Sequence, residues 1–305
     1  MRLDDQSTIP FIGLGTWRLE NAEYVVKEAI VAGYRHLDCA MVYQNEADVG
    51  RALSHCFETG LVSRKEMFIT SKLWNTFHQP QLVPEGCHAS LDALKLDYID
   101  LYLMHWPVSY QPGGCLFPKD SDGNILYDSV EIEATWAAME SLVFSGLVKS
   151  IGLSNFNRMQ IERILRCARI RPVMLQLESH LGFPNQKLID FAHSIGLGVT
   201  AYSPLGSPAN YEKYPNLLSL PVVSALSQKH GKTPGQVLLR HAIQRGLCVV
   251  PKSSSPERLR ENLAIFDFEL SAEDVELLEA ASQNIRRIQP PLMVNHPEFP
   301  FKQDI

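Results

Sequence analysis

"FIGLGTWR", residues 11–18, decides between two ways of folding a parallel sheet. The run reads as a strand carrying Gly13 and Gly15, the start of the G-x-G-x-x-G turn with which an open dinucleotide-binding sheet of the Rossmann type holds a pyrophosphate. That turn needs a third glycine at position 18, so that the next helix can pack close to the strand. Arg18 stands there, and the open-sheet fingerprint fails. Seven more apolar runs of strand length follow: "RHLDCA" (35–40), "MFITSKLW" (67–74), "YIDLYLMHW" (98–106), "SIGLSNF" (150–156), "VMLQLESH" (173–180), "GVTAYSPLG" (198–206) and "LCVVPKSS" (247–254). Helical patterns separate them. Strand alternating with helix implies a parallel sheet, and eight repetitions predict an α/β fold of the (β/α)8 type, a TIM barrel.

The helical segments are legible from their spacing. In "NAEYVVKEAIVAGY" (21–34), Val25, Val26, Ala29, Ile30 and Ala32 make one apolar stripe, and Gly33 is placed to end the helix. Two helices exceed the eight-unit count: "PVVSALSQKHG" (221–231) and "SAEDVELLEAASQN" (271–284). Three segments are long or marked by proline: 106–130, 203–220 and the tail 286–305. Long irregular segments in a compact chain are commonly functional, and loops that follow strands lie at the active face of a barrel. With no linker rich in glycine and serine, the chain is expected to form a single domain over 1–305.

Bulk composition excludes several partners. Hydrophobic residues make up 45% of the chain and charged residues 20%, enough to bury a large core. The net charge of −6, with no local run of Lys and Arg, argues against a nucleic-acid partner. The six cysteines show no C-x-x-C spacing, which points to a reducing compartment and to neither a zinc site nor a disulfide framework. No H-x-H or H-E-x-x-H is present, so no metal site is expected. Acids occupy the start of the chain, where a signal peptide would be apolar, and nowhere do eighteen apolar residues run together. A cytoplasmic monomer acting on a small molecule, without a membrane, is the expectation.

In barrels, chemistry sits where strands finish. Asp38 ends the second run, Lys72 the third and His105 the fourth, and Tyr43 follows Asp38 by five residues. Taken singly, Asp38 reads as a turn residue, His105 as a hydrogen-bonded core histidine and Tyr43 as packing. Together they suit a proton donor. A phenol releases its proton only near pH 10; a neighbouring Lys72 ammonium is expected to lower that value, with Asp38 offsetting the cost of burying the cation. His105 can orient a carbonyl oxygen and stabilise charge forming on it. Such a site protonates an alkoxide, so a hydride donor is required. "PKSSSPERLRENL" (251–263) supplies a place for its anionic end: Lys252, Ser253 and Ser254, a cap at Ser255, Pro256 at the first helical position, then Arg258. Lys252 and Arg258 suit the 2′-phosphate of NADPH.

Across essentially its whole length the sequence resembles the aldo-keto reductase family, with matching pieces "GLGTW", "GYRHLDCAMVYQNE", "ITSKLW", "DYIDLYLMHWP", "GLVKSIGLSNFN", "LQLESH", "TAYSPLGS" and "VVPKSSSPERLRENL". The D-x-x-x-x-Y element with the later Lys and His carries most of the specificity. The resemblance implies a (β/α)8 barrel, NADPH, and reduction of aldehydes or ketones to alcohols, with Asp38, Tyr43, Lys72 and His105 as the catalytic tetrad and Tyr43 as proton donor. It further implies that Ser154, Asn155 and Gln176 bind the nicotinamide carboxamide and that Tyr202 stacks on the ring. Gly15, Thr16, Asp38, Ser203, Leu205 and Ser207 are implied as further cofactor contacts. Lys252, Ser253, Ser254, Arg258, Glu261 and Asn262 would hold the adenosine end.

Substrate walls are expected from Trp17, Trp74, Trp106 and Phe117 beside Tyr43 and His105, closed by the loop around Tyr211 and by the tail near Leu292 to Val294. Such a pocket favours lipophilic carbonyls over sugars. The sequence departs from the family pattern at Leu175, where relatives often carry Asn, and at Leu181, where a Pro is common. A rival reading keeps the cofactor site in a regulatory, non-catalytic barrel that acts through a partner; the intact tetrad favours the enzyme.

Overall fold

The computed structural model describes residues 1–207 and 213–302. Eight parallel strands run in chain order: β1 (Leu14–Gly15), β2 (His36–Asp38), β3 (Phe68–Leu73), β4 (Ile99–Met104), β5 (Val148–Ser154), β6 (Met174–Glu178), β7 (Gly198–Tyr202) and β8 (Cys248–Val249). A parallel bridge between Ile12 and Val249 joins the last strand to the first, supported by Gly13 N donating to the Val249 carbonyl at 2.9 Å. The ring is closed, and the (β/α)8 reading holds. The two seam strands are only two residues long, far shorter than the apolar runs around them, although flanking residues still bond across the seam, as Gly15 N does to the Pro251 carbonyl at 3.1 Å and Val249 N to the Phe11 carbonyl at 2.8 Å.

Helices surround the ring: α1 (Ala22–Ala32), α2 (Glu46–Glu58), α3 (Val83–Leu94), α4 (Ile132–Phe144), α5 (Arg158–Cys167), α6 (Gln186–Ser194), α7 (Pro221–His230), α8 (Pro234–Gln244), α9 (Pro256–Leu263) and α10 (Ala272–Ala280). Among them, α7 and α10 are the two extra helices foreseen. The stripe on α1 buries Val25, Val26, Ala29 and Ile30 against the strands, and Gly33 stops the helix with φ of 113°, a left-handed conformation costly for any residue with a Cβ. The main core lies between strands and helices, where Leu14, Leu37, Ile69, Tyr102, Ile151, Leu175 and Val199 meet Val26, Leu53, Trp136 and Ile161. No helix among the described residues is long and apolar enough to cross a membrane.

Because successive strand residues point to opposite faces, the ends of β2 to β7 send alternate side chains into the barrel mouth. There the segment 106–130 is organised by antiparallel bridges Tyr110–Tyr127 and Lys119–Ile125. Beneath it, Trp74, Trp106, Val108 and Tyr110 pack with Met293, Phe299 and Phe301 of the tail in one apolar cluster.

Candidate active site

Lys72 is the centre of the barrel mouth. Its side chain is 0% exposed, and its Nζ donates to Asp38 Oδ1 and Oδ2, both at 2.9 Å, to the Cys39 carbonyl at 2.8 Å, and to Tyr43 Oη at 3.3 Å. A buried ammonium survives only with such partners. Burial works against its charge, but Asp38 and Tyr43 outweigh that cost and hold its pKa above the ordinary lysine value. Tyr43 reaches the cation because a 3-10 turn, Met41–Tyr43, folds the chain back over the rim directly after β2. The His105 ring lies edge-on to Tyr43 with centroids 5.9 Å apart, and 5.4 Å from Trp74. Burial, then the positive Lys72, push the His105 imidazolium well below its usual range, so the ring is neutral near pH 7.

One expectation is corrected. The Tyr43 phenol is not made more acidic than free tyrosine: burial, the largest influence, pushes it up to about 12, and Lys72 only partly opposes that rise. The low-dielectric rim penalises phenolate more than one cation can recover, and Asp38 offsets part of that cation's field.

A second ring of polar groups adjoins the first. Gln176 Nε2 donates to Asp38 Oδ1 at 2.7 Å, linking β6 to β2 across the lumen. Asn155 Nδ2 donates to the His105 carbonyl at 3.0 Å and to Ser154 Oγ at 3.1 Å, and Tyr202 Oη donates to Asn155 Oδ1 at 2.7 Å. Thr16 Oγ1 donates to the Asp38 carbonyl at 2.9 Å. Among the described residues these bonds leave the Ser154 hydroxyl proton and Gln176 Oε1 uncommitted, a donor and an acceptor side by side, which complement the acceptor and donors of a planar carboxamide. Asn155, Ser203 and Ser207 hold positive φ values of 62°, 51° and 49°. Left-handed backbone at non-glycine residues stores strain and concentrates at ligand sites.

Gly15 lies at the end of β1, where an added Cβ would meet the Val250 carbonyl at 2.6 Å. Leu205 is half-buried against the core. At α9 the cap is as expected, with Ser255 accepting from Arg258 N. Lys252, Ser254 and Arg258 are exposed, Ser253 and Asn262 buried and Glu261 half-buried. Neither Lys252 nor Arg258 forms an ion pair among the described residues, although Glu257 shares the same helical turn.

Of the expected walls, Trp74, Trp106 and Phe117 belong to the aromatic cluster, with Trp74 Nε1 donating to the Leu116 carbonyl at 2.7 Å and the Phe117 ring 5.3 Å away. Trp17 does not; it is 44% exposed beneath the Arg18 guanidinium. Met293 is buried in the cluster, Val294 packs on it, and the Leu292 carbonyl accepts from Tyr127 Oη at 2.9 Å. Tyr211 lies outside the described residues. Leu175 and Leu181 are both buried among apolar side chains, Leu175 facing the helices, opposite Gln176.

Sequence reasoning missed Glu46, the first residue of α2. Its buried carboxylate accepts from Ser71 Oγ at 2.5 Å and Ser90 Oγ at 2.9 Å, behind Lys72. Burial pushes its pKa up to about 7, against the pull of both hydroxyls. The only signal was an acid at the start of a helix, which is ordinarily a solvated position.

Comparison with known proteins agrees with this geometry. Residues 11–283 match the model of the Aldo/keto reductase family. Aldo-keto reductase family 1 member A1 of mouse is 46% identical over 96% of this chain and 95% of its own length, and the human protein of that name is likewise 46% identical over the same shares. The solved aldose reductase from Schistosoma japonicum superposes with a TM-score of 0.95 at 49% identity, covering 100% of this chain and 99% of that one. Barrel, mouth and relatives together define an oxidoreductase acting on carbonyl compounds. The chain belongs to the aldo-keto reductase family.

Proposed function

We propose that this protein reduces lipophilic aldehydes and ketones to alcohols with NADPH, with Tyr43 as the proton donor. The observation that carries the reading is the Lys72 ammonium bonded to both Asp38 oxygens and to Tyr43 Oη, beside the neutral His105 ring. When bound, NADPH supplies hydride to the carbonyl carbon. His105 donates an N–H to the carbonyl oxygen and fixes its position as charge grows there. Tyr43 passes its proton to the same oxygen. Lys72 steadies the phenolate that remains, and Asp38, held by Gln176, keeps the lysine charged and aimed.

The uncommitted Ser154 hydroxyl and Gln176 Oε1 would hold the carboxamide with Asn155, while the half-buried Tyr202 ring takes the nicotinamide face. Gly15, Thr16, Ser203, Leu205 and Ser207 would follow the rest of the cofactor. Lys252, Ser253, Ser254 and Arg258 would meet the 2′-phosphate at the start of α9, where backbone N–H groups and the helix dipole favour anions, with Glu261 and Asn262 nearby at the adenosine end. The chain acts as one (β/α)8 domain over 1–305, with Trp74, Trp106 and Phe117 walling the pocket and the 286–305 tail closing it. Trp17 would touch only the outer edge of a substrate. The test is loss of NADPH absorbance with an aromatic aldehyde. No turnover across several carbonyl classes, with NADPH still bound, would replace this reading by a regulatory one.

A further inference from the structure

Glu178 ends β6 and is 0% exposed, and four groups converge on its carboxylate. The backbone N–H groups of Arg287 and Ile288 donate to its two oxygens at 2.8 and 3.0 Å, His180 Nε2 lies 3.0 Å from Oε1, and Arg286 Nη1 lies 4.0 Å from Oε2. The C-terminal tail therefore starts from a fixed point. From there the Arg287 guanidinium turns toward the chain after β7: Nη1 donates to the Gly206 carbonyl at 2.5 Å and Nη2 to the Pro215 carbonyl at 2.8 Å. The fit is tight, since a Cβ on Gly206 would meet Leu217 Cδ1 at 2.6 Å and Arg287 Nη1 at 2.8 Å. Arg286 turns toward the tail, its guanidinium 3.6 Å from the Phe301 ring centroid, and Phe301 packs on Trp106 at 5.8 Å.

We propose that Glu178 and Arg287 form a clasp that couples the two sides of the site, because the buried carboxylate anchors the tail that packs on Trp106 and, through the Arg287 side chain, the Gly206 carbonyl in the segment carrying Ser203, Leu205 and Ser207. The proposal rests on the reading that those three residues face NADPH. Arg287 acts as a positioning residue, through the Gly206 and Pro215 carbonyls it holds. A guanidinium bonds the two carbonyls from two separate nitrogens of a planar fork, a geometry that the single nitrogen of a lysine does not match. Cofactor binding, by restraining Gly206 and Pro215, holds Arg287 and through it the tail; by linkage, occupation of the substrate side tightens the cofactor in return.

The experiment pairs equilibrium binding with amide hydrogen exchange on the full chain. Arg287→Met replaces the guanidinium by an apolar side chain of similar reach and removes the N–H donors to both carbonyls. NADP⁺ affinity, read from quenching of tryptophan fluorescence, should fall about tenfold, the loss of one charge-assisted hydrogen bond's worth of binding. Saturating NADP⁺ should slow exchange in peptides covering 286–302 in the wild type, but only in those near 202–207 in the variant. Arg287→Lys should fall between the two. Equal affinity in all three proteins would overturn the clasp, and so would a wild-type tail whose exchange NADP⁺ leaves unchanged, a result that needs no variant to fold. A wild type that binds no NADP⁺ removes the cofactor reading and the clasp with it; binding without coupling removes the clasp alone.

Discussion

Replacing Lys72 with Met separates what the buried cation does for folding from what it does for chemistry. The substitution keeps the stem and removes four donor contacts, leaving Asp38 nearly buried with its charge held, among the described residues, by Gln176 alone. Breaking a buried pair from one side costs about 3–5 kcal/mol of stability. For catalysis, a unit positive charge 3.3 Å from the Tyr43 oxygen stabilises the phenolate by about 5 kcal/mol at an effective dielectric of ~20. Repulsion from Asp38 takes part of that back, so the expected fall in kcat/KM is about 10³-fold, inside the usual range for general-acid help. Urea unfolding measures the first quantity and NADPH-coupled reduction of an aromatic aldehyde the second. The double variant Asp38→Asn, Lys72→Met no longer buries an unpaired charge and should regain at least half of the lost stability while remaining inactive. Turnover in Lys72→Met within tenfold of wild type would refute the reasoning, as would activity that returns together with stability in the double variant.

Tyr43→Phe should leave NADPH binding within about twofold and lower kcat by at least ~10²-fold; the two are read by fluorescence titration and steady-state kinetics, and a smaller loss ends the proton-donor assignment. Arg258→Ala should weaken NADPH by about tenfold and NADH hardly at all, since only NADPH carries the extra phosphate; equal losses count against the placement at α9. For Glu46, the folded carboxyl pKa is raised from 4.5 to about 7, so the native state holds a proton that the unfolded state releases. Its contribution is therefore present below about pH 4.5 and is lost as pH rises toward 7, by about 3 kcal/mol in all. Glu46→Gln should lack that slope, so the difference in unfolding free energy between wild type and variant should change by this amount across the window; a flat difference would show that the carboxyl titrates normally.

The fold was legible because barrel units repeat a local signal. Each strand announces itself by an apolar run and each helix by its stripe, and the failed glycine at Arg18 removes the main competitor. Strand limits were less legible, above all at the seam, where "FIGLGTW" and "LCVVPKSS" each pair over only two strand residues. For the site, the spacing of Asp38, Tyr43, Lys72 and His105 sufficed, since strand order and chain order coincide. The links between these residues and their supports were not visible. Gln176 meets Asp38 across 138 residues and Glu178 meets Arg287 across 109, and no periodicity ties an acid to a backbone amide so far away. The acidity of Tyr43 escaped for a related reason, as its sign depends on a contest between burial and field that only packing decides.

The polar groups of the mouth come from different halves of the ring, with Asp38 and Lys72 on β2 and β3 and His105 directly after β4, and Ser154, Gln176 and Tyr202 on β5 to β7. A chain leaving the ribosome exposes the first set long before the second exists. Until β6 arrives, Asp38 lacks Gln176, and until the tail arrives, Glu178 lacks the Arg287 and Ile288 amides. A half-made polypeptide thus carries the charged residues without any competent centre, and recovered turnover after dilution from denaturant would time the final closing of the ring rather than the collapse of its early units.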